Sequence, residues 1–228
     1  MTALPKANPQ KITINGKSGE FLAFYYPGQN TDWDNYYGTP YFGNFWISTF
    51  TVKLKDPQSG TFHTAEAAYQ ASKWWDDAAR LKAFENAKDG DEAFRLKRKF
   101  EESDKLHHDH PHGYGGYSTG EEAMKQILIA KFSDTHLKTA LGATGNSYLL
   151  EHGAKLSHQD MVWSDGNDGT GTNHLGIVLM EVRDHYFPGQ GNPFDGENPA
   201  TVVMSCTTAL RAEMKKLGLS ADSKHATK

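Results

Sequence analysis

The chain has 228 residues, a length that suits one globular domain with small additions. Hydrophobic residues make up only 37% of it and aromatic residues a high 12%, which predicts a core built largely from Phe, Tyr and Trp. The formal net charge of −4 argues against tight, nonspecific binding of nucleic acid along a basic face. It leaves room for contact with one modified nucleotide.

The sequence also restricts where the protein is expected to work. No apolar run is long enough for a transmembrane helix, and the start of the chain, Met1 to Lys6, lacks the apolar segment of a signal peptide. The single cysteine, Cys206, excludes an intrachain disulfide and a multi-cysteine zinc site. We therefore expect an intracellular protein, cytoplasmic or nuclear, that makes no membrane contact.

Two β-hairpins are predicted near the start of the chain. Alternating residues at 12–14, an Asn15-Gly16 turn and an apolar segment at 21–26 indicate the first. After a polar, aromatic loop over 27–40, a strand over 47–54, a connection at 56–60 and a return strand at 61–63 indicate the second.

The rest of the chain is predicted to be mostly helical. Helices are expected over 64–88, 91–102, 120–132, 134–141, 173–186 and 200–217. The basic run at 95–99 is expected to be a solvated face, with phosphate contact as the alternative, and the His-rich stretch at 106–116 a surface insertion. The predicted division is an N-terminal arm or strand (1–19), a catalytic domain (20–190), a C-terminal loop and helix packed on it (191–217) and a disordered tail (218–228).

The stretch from Phe62 to Trp74 is predicted to begin a helix that bears reactive side chains. Thr64 can cap its first turn, and Glu66, Tyr69 or Gln70, and Lys73 then follow at i, i+3 or i+4, and i+7. With 3.6 residues per turn, Glu66 and Lys73 lie within about 20° of each other, two turns apart. One face would offer an acid or base, an amine and an aromatic or amide group. The alternative is a solvated Glu/Lys face with Tyr69 at the core edge.

A second unusual stretch is the glycine-rich loop at 161–176, which opens into a helix. Such a loop exposes backbone N–H groups, and a helix N-terminus favours an anion. Trp163 supplies a stacking plane and Asp165 a carboxylate at the mouth of the loop. The alternative is a mobile loop capped by Asn173.

Four motifs follow one another along the chain: Phe42-Gly43-Asn44-Phe45; Thr64-x-Glu66-x-x-Tyr69-Gln70-Ala71-x-Lys73; Trp163-x-Asp165-Gly166; and Gly171-x-Asn173-x-Leu175-Gly176-x-x-Leu179-Met180-x-x-Arg183. In this order and with this spacing, they give the chain a resemblance to the NADAR superfamily of YbiA-like N-glycosidases. The resemblance spans about residues 20 to 187. The chain differs from the usual pattern at Ser164, where Gly is frequent, and near Gly90, where an Arg usually follows.

The resemblance implies an α+β fold, mostly helical, in a single compact domain with short β-hairpins. It also implies cleavage of a ribose C1–nitrogen bond. The favoured substrate is ADP-ribosylated guanine, in DNA or as a nucleotide, with ADP-ribose as product. Hydrolysis of ribosylated intermediates of riboflavin synthesis is one alternative, and a non-catalytic ADP-ribose or NAD-binding module is another. No cofactor or metal is expected, and the protein is expected to be a monomer.

The resemblance and the residue types together suggest a role for each site residue. Glu66 would transfer a proton or stabilise charge near C1, a contribution of about 10²–10⁴-fold. Lys73 would attack a ring-opened C1 to form a Schiff base, or would be an ion-pair partner that keeps Glu66 ionised. Asp165 would hold ribose hydroxyls or assist proton transfer. Substrate contacts are expected from Asn44, Phe45, Tyr69, Trp163, Ser164, Gly171, Asn173 and Gly176.

Overall fold

The computed structural model describes residues 4–26, 31–55, 58–105, 113–155 and 160–222. The strands are β1 (Gln10–Ile14), β2 (Lys17–Phe24), β3 (Phe50–Lys53), β4 (Ser59–Phe62) and β5 (Tyr148–Glu151). The helices are α1 (Asp32–Tyr37), α2 (Ala65–Ser72), α3 (Ala78–Glu85), α4 (Gly90–Asp104), α5 (Gly120–Lys131), α6 (Thr135–Gly142), α7 (His174–Tyr186) and α8 (Pro199–Lys216). The predicted α+β class with helix predominating is confirmed.

The contacts within the chain divide it into two compact units, and the predicted division into arm, catalytic domain, C-terminal loop and helix, and tail stays a prediction. The terminal unit comprises Met1–Gly43 and Lys138–Lys228, and the central unit comprises Asn44–Leu137. Most of the basic side chains at 95–99 are exposed, as predicted. Residues 106–112 of the predicted His-rich insertion lie outside the described residues. Among the described helices, none has the length and apolar character needed to cross a membrane.

The terminal unit is organised around a three-stranded sheet in the order β1-β2-β5. Strands β1 and β2 form the first predicted hairpin, and both Asn15 (φ 50°) and Gly16 (φ 83°) adopt the positive φ that a type I′ turn requires. Strand β5 pairs in parallel with β2, from Phe21 opposite Tyr148 to Phe24 opposite Glu151. Helix α7 packs against β5, so the start of α7 is held close to the end of this strand.

Helix α1 lies within the segment that we predicted to be a loop, so that prediction is wrong for residues 32–37. The Thr31 hydroxyl accepts a hydrogen bond from the Asp34 backbone N–H (3.2 Å), and Gly38 in the left-handed conformation ends the helix. Trp33 and Tyr37 are buried by it. Six residues are too few for a periodic pattern to stand out, and the tertiary packing of two aromatic rings stabilises the helix instead.

The central unit consists of the β3–β4 hairpin and helices α2 to α5. Strand β3 is shorter than the predicted strand over 47–54, whereas β4 begins two residues before the predicted return strand over 61–63 and ends one residue before it. Asp56 and Pro57 of the predicted connection lie outside the described residues. Helix α2 packs against α3, α4 and α5, which places it inside the unit. The predicted helix over 64–88 is broken after Lys73, because Asp77 caps a new helix by accepting from the backbone N–H groups of Ala79 and Arg80 (3.0 Å each).

The last described residues of the chain form hydrogen bonds within the terminal unit, and the disorder predicted for 218–228 stays a prediction. The Ser220 N–H donates to Asp32 Oδ2 (2.7 Å), and Arg211 contacts Asp222 Oδ1 through Nη2 (2.9 Å). The carbonyl of Ala221 accepts a hydrogen bond from a buried histidine, described below. These bonds tie residues 220–222 to the terminal unit.

Candidate active site

Helix α2 begins as the sequence predicts. Thr64 is extended (φ −148°), and its hydroxyl accepts a hydrogen bond from the Ala67 N–H (3.1 Å), which is the expected N-cap. The Glu66 N–H, also free of an intrahelical partner at this position, donates to the Asn44 carbonyl (3.0 Å). The predicted substrate-binding residue Asn44 therefore lies beside the first turn of α2, next to the predicted acid.

The predicted reactive face of α2 is buried rather than solvated. Glu66 and Lys73 are each only 8% exposed, so the alternative of a solvated Glu/Lys face is wrong. Gln70 Nε2 donates to Glu66 Oε1 (2.7 Å), and Lys73 Nζ lies 5.2 Å from the centre of the Tyr69 ring. An acid, an amide, an aromatic ring and an amine thus follow one another along two turns of one helix.

The environment of Lys73 favours the neutral amine. Burial is the largest cause and lowers its pKa to about 8, from an ordinary value of 10.5. The positive charge of Lys97 on α4 lowers the pKa further, whereas the carboxylates of Glu66 and Glu101 raise it. At pH 7 about a tenth of such an amine is unprotonated, which gives Lys73 the nucleophilic form that an ordinary lysine lacks.

Lys97 and Glu101 were not among the residues predicted for the site. Lys97 Nζ and Glu101 Oε2 are 3.1 Å apart, and their side chains are 17% and 14% exposed. Lys97 thus differs from Arg95, Arg98 and Lys99, which are exposed as predicted for the basic run. The i, i+4 spacing of a Lys and a Glu was visible in the sequence, but its burial was not.

Phe45 and Tyr69 have packing partners within the central unit. The Phe45 ring lies directly on the first residue of α4, because a Cβ at Gly90 would be 2.2 Å from that ring. The Tyr69 ring is stacked on Tyr114 at 6.0 Å between centroids, with 13° between planes. Both aromatic residues therefore help to shape the surroundings of Asn44 and α2, and their contact with a substrate stays a prediction.

Asp165 in the terminal unit is fully buried, and both of its oxygens accept hydrogen bonds. Oδ2 accepts from His152 Nδ1 (2.6 Å) and from the Thr207 hydroxyl (2.7 Å). Oδ1 accepts from the backbone N–H groups of Gly153 (3.1 Å) and Asn167 (2.8 Å). This arrangement makes Asp165 the residue that fastens the glycine-rich loop to β5's end and to α8. Its predicted direct role in catalysis stays a prediction.

His152 is a buried partner of Asp165 that sequence reasoning missed. Its Nδ1 is 2.6 Å from Asp165 Oδ2, and its Nε2 is 2.9 Å from the Ala221 carbonyl oxygen. These partners lie 13 and 69 residues away along the chain, so no local pattern connects them to His152.

Asn173 and Gly176 tie α7 to β5. Asn173 is left-handed (φ 53°), and its Oδ1 accepts from the Glu151 N–H (2.9 Å) while its Nδ2 donates to the Tyr148 hydroxyl (3.0 Å) and the Leu149 carbonyl (2.9 Å). A Cβ at Gly176 would be 2.0 Å from the Leu149 carbonyl oxygen. The Asn side chain therefore bonds to the strand rather than capping the helix, and the Gly allows the close approach of helix and strand.

The backbone donors at the start of α7 are already used by the loop itself. The N–H groups of residues 172–175 donate to the carbonyls of Met161, Ser164, Val162 and Trp163, at 2.9–3.1 Å. Gly171 N–H donates to Asp165 O (2.9 Å), and a Cβ at Gly171 would be 2.3 Å from Ser164 O. The predicted contact of Gly171 and Asn173 with a phosphate or ribose stays a prediction, and it would require some of these bonds to be exchanged.

Trp163 and Ser164 complete the loop. The half-buried Trp163 ring meets the His174 ring edge to face, with 6.2 Å between centroids. The buried Ser164 hydroxyl donates to Asp160 O (2.7 Å) and accepts from the Gly166 N–H (3.1 Å). Ser164 thus stabilises the turn, and the stacking role predicted for Trp163 stays a prediction.

Comparison with known proteins agrees with the resemblance seen in the motifs. Residues 31–186 match the family model of the NADAR domain. The chain is 36% identical over 165 residues to a riboflavin biosynthesis protein of Vibrio vulnificus, covering 72% of this chain but only 38% of that protein. It is 30% identical over 152 residues to the N-glycosidase YbiA of Shigella flexneri, covering 66% of this chain and 86% of YbiA. The NMR structure of Escherichia coli YbiA has a similar fold, with a TM-score of 0.52, 24% identity, and 81% of this chain and 92% of that one covered.

An acid and an amine of lowered pKa, buried along one helix of an α+β fold, define a site suited to nucleophilic and acid–base chemistry. The chain belongs to the NADAR domain family. The names of the YbiA relatives support a glycosidase-type enzyme within that family.

Proposed function

We propose that this protein is an N-glycosidase that removes ADP-ribose from ADP-ribosylated guanine, in DNA or as a nucleotide, by hydrolysing the ribose C1–N bond. The observation that supports the proposal most directly is Lys73, a buried amine with a pKa of about 8, on the same helix face as Glu66. Binding alone does not require a nucleophilic amine beside an acid.

The first half of the reaction transfers the ribose to Lys73. Glu66 protonates the ring oxygen of the ribose, the ring opens, and C1 is joined to the base nitrogen as an iminium. The neutral Lys73 amine adds to C1, and a proton moves from the new ammonium group to the base nitrogen. The base then leaves as a neutral amine, and C1 remains bonded to Lys73 as a protonated Schiff base.

The second half of the reaction restores the enzyme. Water adds to C1, and Glu66 takes a proton from it and passes that proton to the lysine nitrogen. As the lysine leaves C1 as a neutral amine, Glu66 takes the second proton of the former water, and C1 becomes an aldehyde. The open ribose closes to give free ADP-ribose. The balance is one water consumed, and one guanine and one ADP-ribose released, with the proton back on Glu66. In the simpler alternative, Lys73 is only an ion-pair partner of Glu66 and no covalent bond forms.

The other predicted residues receive supporting roles in this proposal. Asn44 and Phe45 line the site beside Glu66, and Tyr69 holds the Lys73 stem. Asp165 is a positioning residue for the glycine-rich loop of its own unit, since both its oxygens are engaged.

The test is incubation with an oligonucleotide that carries ADP-ribosylated guanine, followed by mass spectrometry. We expect the wild type to remove one ADP-ribose mass and Glu66→Gln to remove none, with unchanged circular dichroism. Glu102→Gln on the exposed face of α4 is the matched control and should remain active. A fully active Glu66→Gln would refute the assignment of the acid. Borohydride added during turnover should leave an adduct on Lys73, and its absence would leave only the ion-pair role.

A second substrate class is favoured by one specific observation, the 36% identity to a riboflavin biosynthesis protein. The same residues would then cleave the C1–N bond of a ribosylated intermediate of that synthesis. Cleavage of such an intermediate, with the ADP-ribosylated oligonucleotide left intact, would favour this candidate. If both substrates stayed intact while ADP-ribose bound, the protein would be a binding module.

A further inference from the structure

Gln70 has one amide atom engaged and the other without a partner. Its Nε2 donates to Glu66 Oε1 (2.7 Å), and a carboxylate can only accept, so this end of the amide is fixed. The Gln70 side chain is 5% exposed, and its Oε1 has no hydrogen-bond partner among the described residues. A buried carbonyl oxygen left in this state costs free energy, so native structures seldom retain one without a reason.

Asn44 presents a second acceptor of the same kind beside the same carboxylic acid. Its backbone carbonyl accepts from the Glu66 N–H (3.0 Å), which places it against the first turn of α2. Its side-chain Oδ1 is shielded from solvent and lacks a partner within the described part of the chain. Asn44 and Gln70 therefore each bond to Glu66, the first through its backbone carbonyl and the second through its amide nitrogen, and each carries an unpartnered side-chain oxygen among the described residues.

Two unpartnered acceptors call for a ligand edge that carries two adjacent donors. Guanine substituted at its amino group has such an edge, formed by the ring N1–H and the amino N–H next to it. In the proposed reaction Glu66 acts on the oxygen atoms bonded to C1, and C1 is also bonded to the amino nitrogen of the guanine. Gln70 holds Glu66 with one end of a planar amide, so the unpartnered oxygen at its other end lies beside that carboxyl group.

We propose that Gln70 and Asn44 form a two-acceptor site that recognises the adjacent N–H donors of the leaving guanine. This inference rests on the proposed function and names the part of the substrate that the enzyme recognises, the N–H edge of the guanine. Gln70 also positions Glu66 through its amide nitrogen, whereas the Asn44 side chain contributes an acceptor only. A guanine derivative without the ring N–H would leave one of these buried oxygens without a hydrogen bond. A site built from such acceptors discriminates strongly against that derivative.

The test compares two oligonucleotides that carry ADP-ribose on guanine or on 1-methylguanine, in which the ring N–H is removed. The variants are Gln70→Ala and Asn44→Ala, with Asn86→Ala at an exposed helix end as the control. The readout is the ratio of kcat/KM for the two substrates. A displaced Glu66 lowers kcat/KM for both substrates alike, so this loss cancels in the ratio. We expect the wild type to prefer guanine by about 100-fold, and each variant to lose about 10-fold or more of that preference.

Binding of guanosine and 1-methylguanosine, measured by calorimetry, separates this inference from the proposed function. If turnover falls equally for both substrates in both variants, the two residues serve Glu66 or the fold and the recognition site is refuted. If the wild type cleaves neither substrate, the proposed function fails, and the binding of guanosine and 1-methylguanosine then tests the recognition site by itself. Preferential binding of guanosine that the variants lose would then support the site, whereas equal binding of both nucleosides, or binding of neither, would overturn it.

Discussion

Removing the charge of Lys97 should make Lys73 a poorer nucleophile. Lys97 is the second-largest cause of the lowered pKa of Lys73, after burial, and its substitution by Met preserves most of its volume. The change also removes the cation 3.1 Å from Glu101 Oε2, and the Glu101 carboxylate raises the pKa of Lys73, as does that of Glu66 on α2. Every charged group that acts on Lys73 therefore shifts its pKa upward in Lys97→Met.

The size of the effect can be bounded from the structure. With a pKa of about 8, roughly a tenth of the Lys73 amine is neutral at pH 7. With an ordinary pKa of 10.5 the neutral fraction would be roughly 300-fold smaller. Burial persists in the variant, so the pKa stays below that limit. We expect the neutral amine at pH 7 to fall by about tenfold, and certainly by less than about 300-fold.

Two assays check this prediction. Competitive labelling with acetic anhydride between pH 6 and pH 11, read by mass spectrometry of the Lys73 peptide, reports the pKa without any substrate. The pH dependence of kcat/KM should show its acidic limb displaced to higher pH in the variant. Lys99→Met, two residues further along α4 and exposed, is the control and should change neither the pKa of Lys73 nor the pH dependence of kcat/KM. An unchanged or lower pKa for Lys73 in Lys97→Met would refute the reasoning.

Three further predictions concern stability. Burial lowers the pKa of Lys131 to about 7 in the folded state, so at this residue the unfolded state binds more protons between pH 7 and 10.5, and Lys131 contributes a rise of stability with pH across that window. Lys131→Met should remove this contribution and stabilise the protein at pH 6 by up to roughly 5 kcal/mol. Urea unfolding of both proteins at pH 6 and pH 10 measures it, and the same change in stability between the two pH values in both proteins would contradict it. Gly176→Ala should cost about 3 kcal/mol or more because its Cβ would be 2.0 Å from Leu149 O, whereas Gly191→Ala, whose nearest neighbour would be 3.8 Å away, should cost little; equal thermal midpoints would show that α7 can shift. Asp165→Asn should cost about 3 kcal/mol or more, because an amide cannot accept four hydrogen bonds and leaves buried partners of the carboxylate without one; an inactive but fully stable variant would instead favour a direct catalytic role.

The sequence predicted the parts of the site that depend on neighbouring residues. Thr64 caps α2 because its hydroxyl reaches an N–H three residues away, and Glu66 and Lys73 share a face because the helical period places them there. The Asn15-Gly16 turn forms because these two residue types tolerate positive φ. Each of these features follows from the steric and hydrogen-bonding properties of a few consecutive residues.

The structure was needed wherever a property depends on what packs from elsewhere in the chain. The same Glu and Lys could have faced water; helices α3, α4 and α5 bury them, and burial is what brings the pKa of Lys73 to about 8. Lys97 belongs to the basic run that was predicted to be solvated, and only the packing of α4 against α2 shows that Lys97 and Glu101 are largely buried. Gln70 was visible at i+4 from Glu66, but its unpartnered oxygen exists only in the packed interior.

The two acidic residues predicted as catalytic show the same division. Glu66 and Lys73 belong to one helical segment, so the sequence by itself determined which acid lies beside which amine. Asp165 was assigned from its place in a loop, and only the tertiary structure showed that His152, Thr207 and two backbone N–H groups surround it. Helical geometry repeats every few residues and can be read locally, whereas burial and the electrostatic field of a side chain are set by segments far apart in sequence, which is why the chemistry of each carboxylate was decided by the fold.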